Sequence, residues 1–66
     1  MSVAKIIEIS SSSKTSFDDA IKQGIAGANK TLKNIEGAWV QDQKVAVTNG
    51  VVTEYRVLLK VTFVLE

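Results

Sequence analysis

The stretch Val45-Ala46-Val47-Thr48-Asn49-Gly50-Val51-Val52-Thr53-Glu54-Tyr55 decides the fold, because it contains the strongest turn signal in the chain. Asn-Gly favours a two-residue type I′ turn, in which both central residues take positive φ. The flanking residues are largely apolar and β-branched, so the sequence predicts a β-hairpin with strands over 35–48 and 51–66. In the second of these strands the odd-numbered residues form an almost wholly apolar face, which is expected to pack on a helix. The even-numbered residues form a mixed face that points away from it.

A two-residue turn also sets which residues of the two strands oppose each other. With Thr48 opposite Val51, the pairs predicted on the mixed face are Gly37 with Thr62, Trp39 with Lys60, Gln41 with Leu58 and Gln43 with Arg56. A bulge in the second strand would break this register beyond Gln43. The register therefore predicts that Trp39 lies outside the core between helix and sheet.

The N-terminal part of the chain predicts a strand followed by a loop. Isoleucines interspersed with charged residues over 3–10 are typical of a strand, and the serine run 10–13 indicates a loop. That run lacks the glycines of a phosphate-binding loop. Ser16 then stands where it can cap a helix, with Asp19 in the reciprocal capping-box position.

Apolar residues recur at helical spacing from Phe17 to Leu32, which predicts a helix over this range. Lys30 and Lys33 suit the negative end of its dipole. Gly24 and Gly27 lower helix propensity by roughly 1 kcal/mol each, and such residues predict close packing against a sheet or another helix. The apolar side of this helix is expected to cover one face of the sheet.

The composition excludes several classes of function. The 66 residues contain no cysteine and no histidine, which excludes disulfides, the usual zinc sites and histidine-based acid–base catalysis. Eight basic against seven acidic residues leave no basic stripe for nucleic acid, and no apolar run is long enough to span a membrane. The N-terminus lacks the features of a signal peptide. We therefore expect a cytoplasmic binding or structural protein, not an enzyme.

The element order strand, helix, strand, strand predicts an α+β fold in which a three-stranded antiparallel sheet packs on one helix. The long third strand is expected in the middle of the sheet. One helix covers only one face, and a chain this short buries only about 60% of its unfolded surface. Long open edges are aggregation hazards unless another chain covers them. These features predict a closed homo-oligomer.

The chain resembles the dodecins along nearly its whole length. The resemblance is carried by Val-Ala-Lys-Ile-Ile-Glu-Ile at 3–9, Ser-Ser-Lys-Thr-Ser-Phe-Asp-Asp-Ala-Ile at 12–21, Ala-Asn-Lys-Thr-Leu-Lys-Asn-Ile at 28–35 and the closing strand from Glu54 to Glu66. The resemblance implies a single dodecin-like domain over 1–66, a β-α-β-β protomer assembled into a hollow homododecamer. It also implies that the assembly binds riboflavin, its mononucleotide FMN or their degradation products in pairs. The resemblance implies a flavin store, not an enzyme that converts flavin.

At the flavin site this sequence departs from the family pattern. Flavin-binding dodecins carry a stacking tryptophan early in the second strand and a glutamine in the third strand. In a gapless alignment from the hairpin turn these fall on Gly37 and Arg56, whereas Trp39 lies two residues later, about 7 Å along the strand. Calcium dodecins also lack the tryptophan and have arginine at the glutamine position.

Two classes of function therefore stand open: a flavin-storing shell, and an ion-binding or purely structural shell. The residues predicted to meet a small planar ligand are Trp39, Arg56, Gly37, Gln41 and Leu58, with Gln43 as a further amide on the same face. Calcium needs about six to eight oxygen ligands, and no single loop of this chain supplies that many. No calcium ligands are assigned, since the acids Glu36, Asp42, Glu54 and Glu66 are dispersed.

Overall fold

The computed structural model describes residues 3–65, so Met1, Ser2 and Glu66 lie outside the described residues. The elements are β1 (Ala4–Ser13), α1 (Phe17–Ala28), β2 (Ile35–Thr48) and β3 (Val51–Val64). They form one sheet in the order β1-β3-β2, and both neighbouring pairs are antiparallel. The predicted β-α-β-β fold with its third strand in the middle is confirmed. The predicted end of β3 at Glu66 falls outside the described range.

The core lies between α1 and the odd-numbered side chains of β3. Leu59 and Val61 are fully buried, Val57 is 2% exposed, and Ala20 of the helix packs among them. Burying each such aliphatic side chain is worth roughly 1.5–3 kcal/mol, which makes this contact the main source of helix docking. The predicted division of β3 into an apolar and a mixed face is confirmed in the middle of the strand, from Val57 to Val61, whereas Val51 and Leu65, also predicted on the packed face, are exposed.

Helix α1 begins as predicted and ends one turn early. The backbone N–H of Asp19 donates to Ser16 Oγ at 3.0 Å, which confirms the cap. The reciprocal half of the predicted capping box is wrong, because the Ser16 N–H donates to Ser13 Oγ and the Asp19 carboxylate accepts from Ser13 and Gln23 instead.

The helix ends at Ala28, and the backbone N–H groups of Lys30 and Thr31 then bond only three residues back, to the carbonyls of Gly27 and Ala28. The predicted extension to Leu32 is wrong, and the last turn holds no lysine to meet the dipole.

The serine run belongs to β1, so its prediction as a loop is wrong. The register pairs it with β3 from Ser10 opposite Leu58 to Ser13 opposite Tyr55, and a continuous ladder keeps the backbone bonded. Small side chains suit this end of the strand, where a Cβ added at Gly24 would lie 3.0 Å from Ser11 Cβ. Close packing is thus confirmed for Gly24. Within the protomer nothing packs on Gly27, where an added Cβ meets nothing within 4 Å.

The hairpin turn has the predicted conformation, with φ of 52° at Asn49 and 76° at Gly50. Beyond the turn, the pairing of β2 with β3 departs from the register predicted for a two-residue turn, because β3 has an extra residue at Thr53 and β2 has one at Gln41. Thr53 Oγ1 donates to the carbonyl of Ala46 at 3.3 Å, so the side chain of the extra residue bonds across to β2. A third irregularity lies at Glu36. Between the first two bulges every pairing is shifted by one residue.

Candidate functional site

The sheet surface opposite α1 is uncovered in the protomer, and we call it the open face. It consists of the even-numbered residues of β3 and the residues of β1 and β2 that oppose them. Two regions of the open face differ in the side chains they present. The end near the start of β2 carries Trp39, and the middle of the sheet carries a polar cavity next to Arg56.

Trp39 lies on the open face, as predicted, and 65% of its surface is exposed. It opposes Lys60, whose ammonium Nζ lies 5.4 Å from the centroid of the indole ring. A cation at this distance over an indole forms a cation–π contact worth about 0.5–1 kcal/mol at an exposed site. The tryptophan is therefore held in place without being buried.

Gly37 opposes Thr62 two residues from Trp39 along β2, on the same face. An added Cβ at Gly37 would meet nothing within 4 Å. The position where the resemblance places a stacking tryptophan is therefore bare backbone beside an exposed indole. A flat molecule could lie over Gly37 with its edge or face against Trp39.

A cavity of about 720 Å³ spans the three strands at the middle of the sheet. The residues that line it are Ser10, Ser11, Ser12, Asp42, Gln43, Lys44, Glu54, Arg56, Val57 and Leu58. Arg56 Nε donates to Glu54 Oε1 at 2.6 Å, and the arginine side chain remains half exposed. One edge of its guanidinium is thus committed to Glu54, and the remaining N–H groups can meet a ligand.

The bulges alter which predicted site residues meet. Asp42 opposes Leu58, so the predicted pairing of Gln41 with Leu58 is wrong, and Gln41 is the extra residue of its bulge. Lys44 opposes Arg56, so the predicted pairing of Gln43 with Arg56 is wrong as well. The extra residue at Thr53 causes this shift.

Gln43 opposes Val57, on the side of the sheet that faces the helix in β3. The structure thus brings Arg56, Leu58 and Gln43 to one cavity and leaves Trp39 and Gly37 at another part of the open face.

The sequence did not predict the cavity position of the β1 hydroxyls and of Lys44, nor the cation–π contact that Lys60 makes with Trp39. Ser10 and Ser12 line the cavity because β1 continues through the serine run. Lys44 joins them only because of the bulge shift, which the sequence does not signal. The cation–π contact of Lys60, by contrast, could have been predicted from its pairing with Trp39, because a lysine directly opposite a tryptophan on one face of a sheet can reach the indole ring.

Within residues 3–65 no group of three or more acidic side chains is arranged to hold a metal ion. Asp42 and Glu54 both line the cavity, but Glu54 is ion-paired with Arg56. A calcium site would need oxygens from several copies of the chain. Among these same described residues, no helix is both long and apolar enough to cross a membrane.

The comparison with known proteins agrees with the fold. The Dodecin family model matches residues 3–66. The chain is 35% identical over 63 residues to the calcium dodecin of Mycobacterium tuberculosis, covering 96% of this chain and 89% of the relative.

Two solved structures extend the likeness to three dimensions. A crystal structure of an Arg-to-Ala mutant of the Thermus thermophilus dodecin superposes with a TM-score of 0.94 at 32% identity, covering 100% of this chain and 98% of the other. The structure of the Mycobacterium tuberculosis calcium dodecin, described as calcium-chelating with a novel calcium-binding site, gives a TM-score of 0.84 at 33% identity, covering 98% and 93%. With a family model that spans nearly the whole chain and relatives at this level of identity, the chain belongs to the dodecin family.

Proposed function

We propose that this protein is the subunit of a dodecin-like hollow homododecamer that binds and stores a flavin, FMN or riboflavin, on its open face without turning it over. Family membership supports the assembly, and so do the uncovered face and edges of the sheet. The exposed apolar side chains at both ends of the protomer give an assembly surface to bury: Val3, Ile6, Val45, Val47, Val51, Val52 and Leu65.

One observation supports a flavin as the ligand: the only tryptophan of the chain is exposed on the face of the sheet that the helix does not cover. An exposed indole beside the bare backbone of Gly37 offers a flat apolar surface to a planar ring. Stacking on an aromatic side chain contributes about 0.5–1.5 kcal/mol beyond the area buried. Trp39 is therefore proposed to take the stacking role from a position two residues along the strand.

The rest of the site supports weaker binding than the full family motif would give. Arg56 offers only donors, whereas the uracil-like edge of a flavin presents both donors and acceptors. We expect flavin to bind at least about tenfold more weakly than in a dodecin with the stacking tryptophan and the glutamine, a loss of about 1.4 kcal/mol. Leu58, beside Arg56 in the cavity, and Gln41, the bulge residue between the cavity and Trp39, are proposed as lesser contacts at the end of the ligand that extends towards the cavity.

The test is a titration of oxidised flavin with the apo protein, followed by quenching of flavin emission. Binding should be saturable, and Trp39→Ala should weaken it by about tenfold or more, since both the stacking and the buried area are lost. Lys22→Ala is the control, because Lys22 is exposed on α1, away from the open face and outside the apolar surface proposed for assembly. Equal weakening by both variants, or saturation that Trp39→Ala leaves unchanged, would refute the role of Trp39.

Calcium is the second candidate, favoured by the similarity to the calcium dodecin of Mycobacterium tuberculosis and by the carboxylate of Asp42 at the cavity. The ligands would come from several subunits, since one protomer supplies too few. Calorimetric titration of the metal-free assembly with calcium should then show binding that Asp42→Asn weakens. Absence of calcium binding, in a protein that binds flavin, would remove this candidate.

A further inference from the structure

The open face holds a lysine where a stacked ligand would have to lie. Lys60 Nζ is 5.4 Å from the centroid of the Trp39 ring, so it occupies part of the exposed indole face. A planar ligand that stacks there must displace the ammonium or pair with it. A neutral ring only displaces it, and thereby loses the cation–π contact.

Lys60 is not committed to a carboxylate elsewhere. Glu8 opposes it on β1 on the same face, yet within residues 3–65 no ion pair joins the two, and the ammonium turns to the indole on the other side. Arg56, the other nearby cation of β3, already pairs with Glu54. Lys60 is thus an available positive charge beside the one aromatic surface of this face.

We propose that Trp39 and Lys60 form a subsite for an aromatic anion, the indole binding the ring and the ammonium binding its phosphate or carboxylate. The inference rests on the proposed function in one respect: if the ligand is a flavin, the subsite should bind FMN in preference to riboflavin. Gly37 adds no side chain beside Trp39, and an added Cβ there would meet nothing within 4 Å, so the flexible ribityl chain has room to turn its phosphate back towards Lys60. An anionic ligand keeps a partner for the ammonium while it covers the indole.

The first experiment compares FMN with riboflavin, which share the ring and the ribityl chain and differ by the phosphate. FMN should bind about fivefold more tightly, the upper range of an exposed ion pair. Lys60→Met should abolish that difference, because methionine keeps an apolar stem and removes the charge. Lys22→Met is the control, since Lys22 is exposed on α1, on the opposite side of the sheet, and loses the same charge. A preference that survives Lys60→Met, or that Lys22→Met removes equally, overturns the proposal.

A second experiment needs no flavin, so it separates failure of this subsite from failure of the flavin function. The chain has one tryptophan, so indole emission reports on Trp39 alone. Iodide should quench this emission more strongly than caesium does, and Lys60→Met should lower the iodide quenching and raise the caesium quenching. Unchanged quenching in Lys60→Met, or emission that neither ion reaches, overturns the subsite.

If the quenching behaves as expected but flavin does not bind, naphthoate and its neutral amide replace the flavins as the pair of probes. Tighter binding of naphthoate, lost in Lys60→Met, then supports the subsite and refutes flavin as its ligand. Equal binding of naphthoate and the amide overturns the subsite.

Discussion

The two glycines of α1 offer the sharpest test of how the helix packs on the sheet. An alanine Cβ at position 24 would lie 3.0 Å from Ser11 Cβ and 3.1 Å from Leu59 Cδ1, whereas one at position 27 meets nothing within 4 Å. Ser11 Cβ is fixed to the backbone of β1, and Leu59 is fully buried, so neither can move aside cheaply. The same substitution three residues apart should therefore have opposite effects.

The magnitudes follow from propensity and packing. Each Gly→Ala change gains up to about 1 kcal/mol of helix propensity, less near the helix end. Gly27→Ala should thus raise the free energy of unfolding by roughly 0.5–1 kcal/mol. At Gly24 the same gain is opposed by overpacking of about 1–3 kcal/mol. We expect Gly24→Ala to be destabilising, with the two variants about 2 kcal/mol apart.

The assay is urea unfolding followed by circular dichroism, at one protomer concentration for all variants, because an assembly's stability depends on concentration. A double-mutant cycle with Ser11→Gly should recover part of the loss at Gly24, since it removes the nearest opposing atom. Similar shifts for both glycine variants would refute the packing argument. Destabilisation by Gly27→Ala would show that another subunit packs on that side of α1.

Three further substitutions test the turn, the helix start and the core by the same unfolding assay. Gly50→Val should cost about 1 kcal/mol or more, because Gly50 has a φ of 76° that a β-branched residue resists; an unchanged melting temperature would contradict the turn. Ser13→Ala should cost about 1–3 kcal/mol, since the Ser13 hydroxyl, on a residue only 5% exposed, donates to Asp19 and accepts from two backbone N–H groups; a neutral result would show that water replaces it. Leu59→Ala should cost about 2–5 kcal/mol from the fully buried core, and a loss below that range would place the core elsewhere.

The fold could be predicted from local chemistry. Asn49-Gly50 determines the hairpin, and the alternation of β3 determines which face meets the helix, because both signals act over neighbouring residues. The serine run is part of β1 although its polarity predicts a loop, because pairing with β3 continues the strand to Ser13. Tertiary pairing overrode local propensity there.

The site could be predicted only in part. Trp39 lies opposite Lys60, as the register set by the turn predicts. The bulge at Gln41 in β2 cancels the shift caused by the bulge at Thr53 in β3, so the predicted pairing is restored from Val40 back to Gly37. Between those bulges the pairing is shifted, so Lys44 replaced Gln43 opposite Arg56. A bulge depends on backbone geometry that alternation in the sequence does not encode.

Native mass spectrometry of the purified protein, with flavin added, tests the central claim most directly, because it reads the assembly and its ligand in one spectrum. The account predicts a dodecamer that retains flavin, and loss of that flavin, with the dodecamer intact, in Trp39→Ala. A 7.1 kDa folded monomer would contradict the assembly. A dodecamer that carries the same flavin load with and without Trp39 would contradict the binding site.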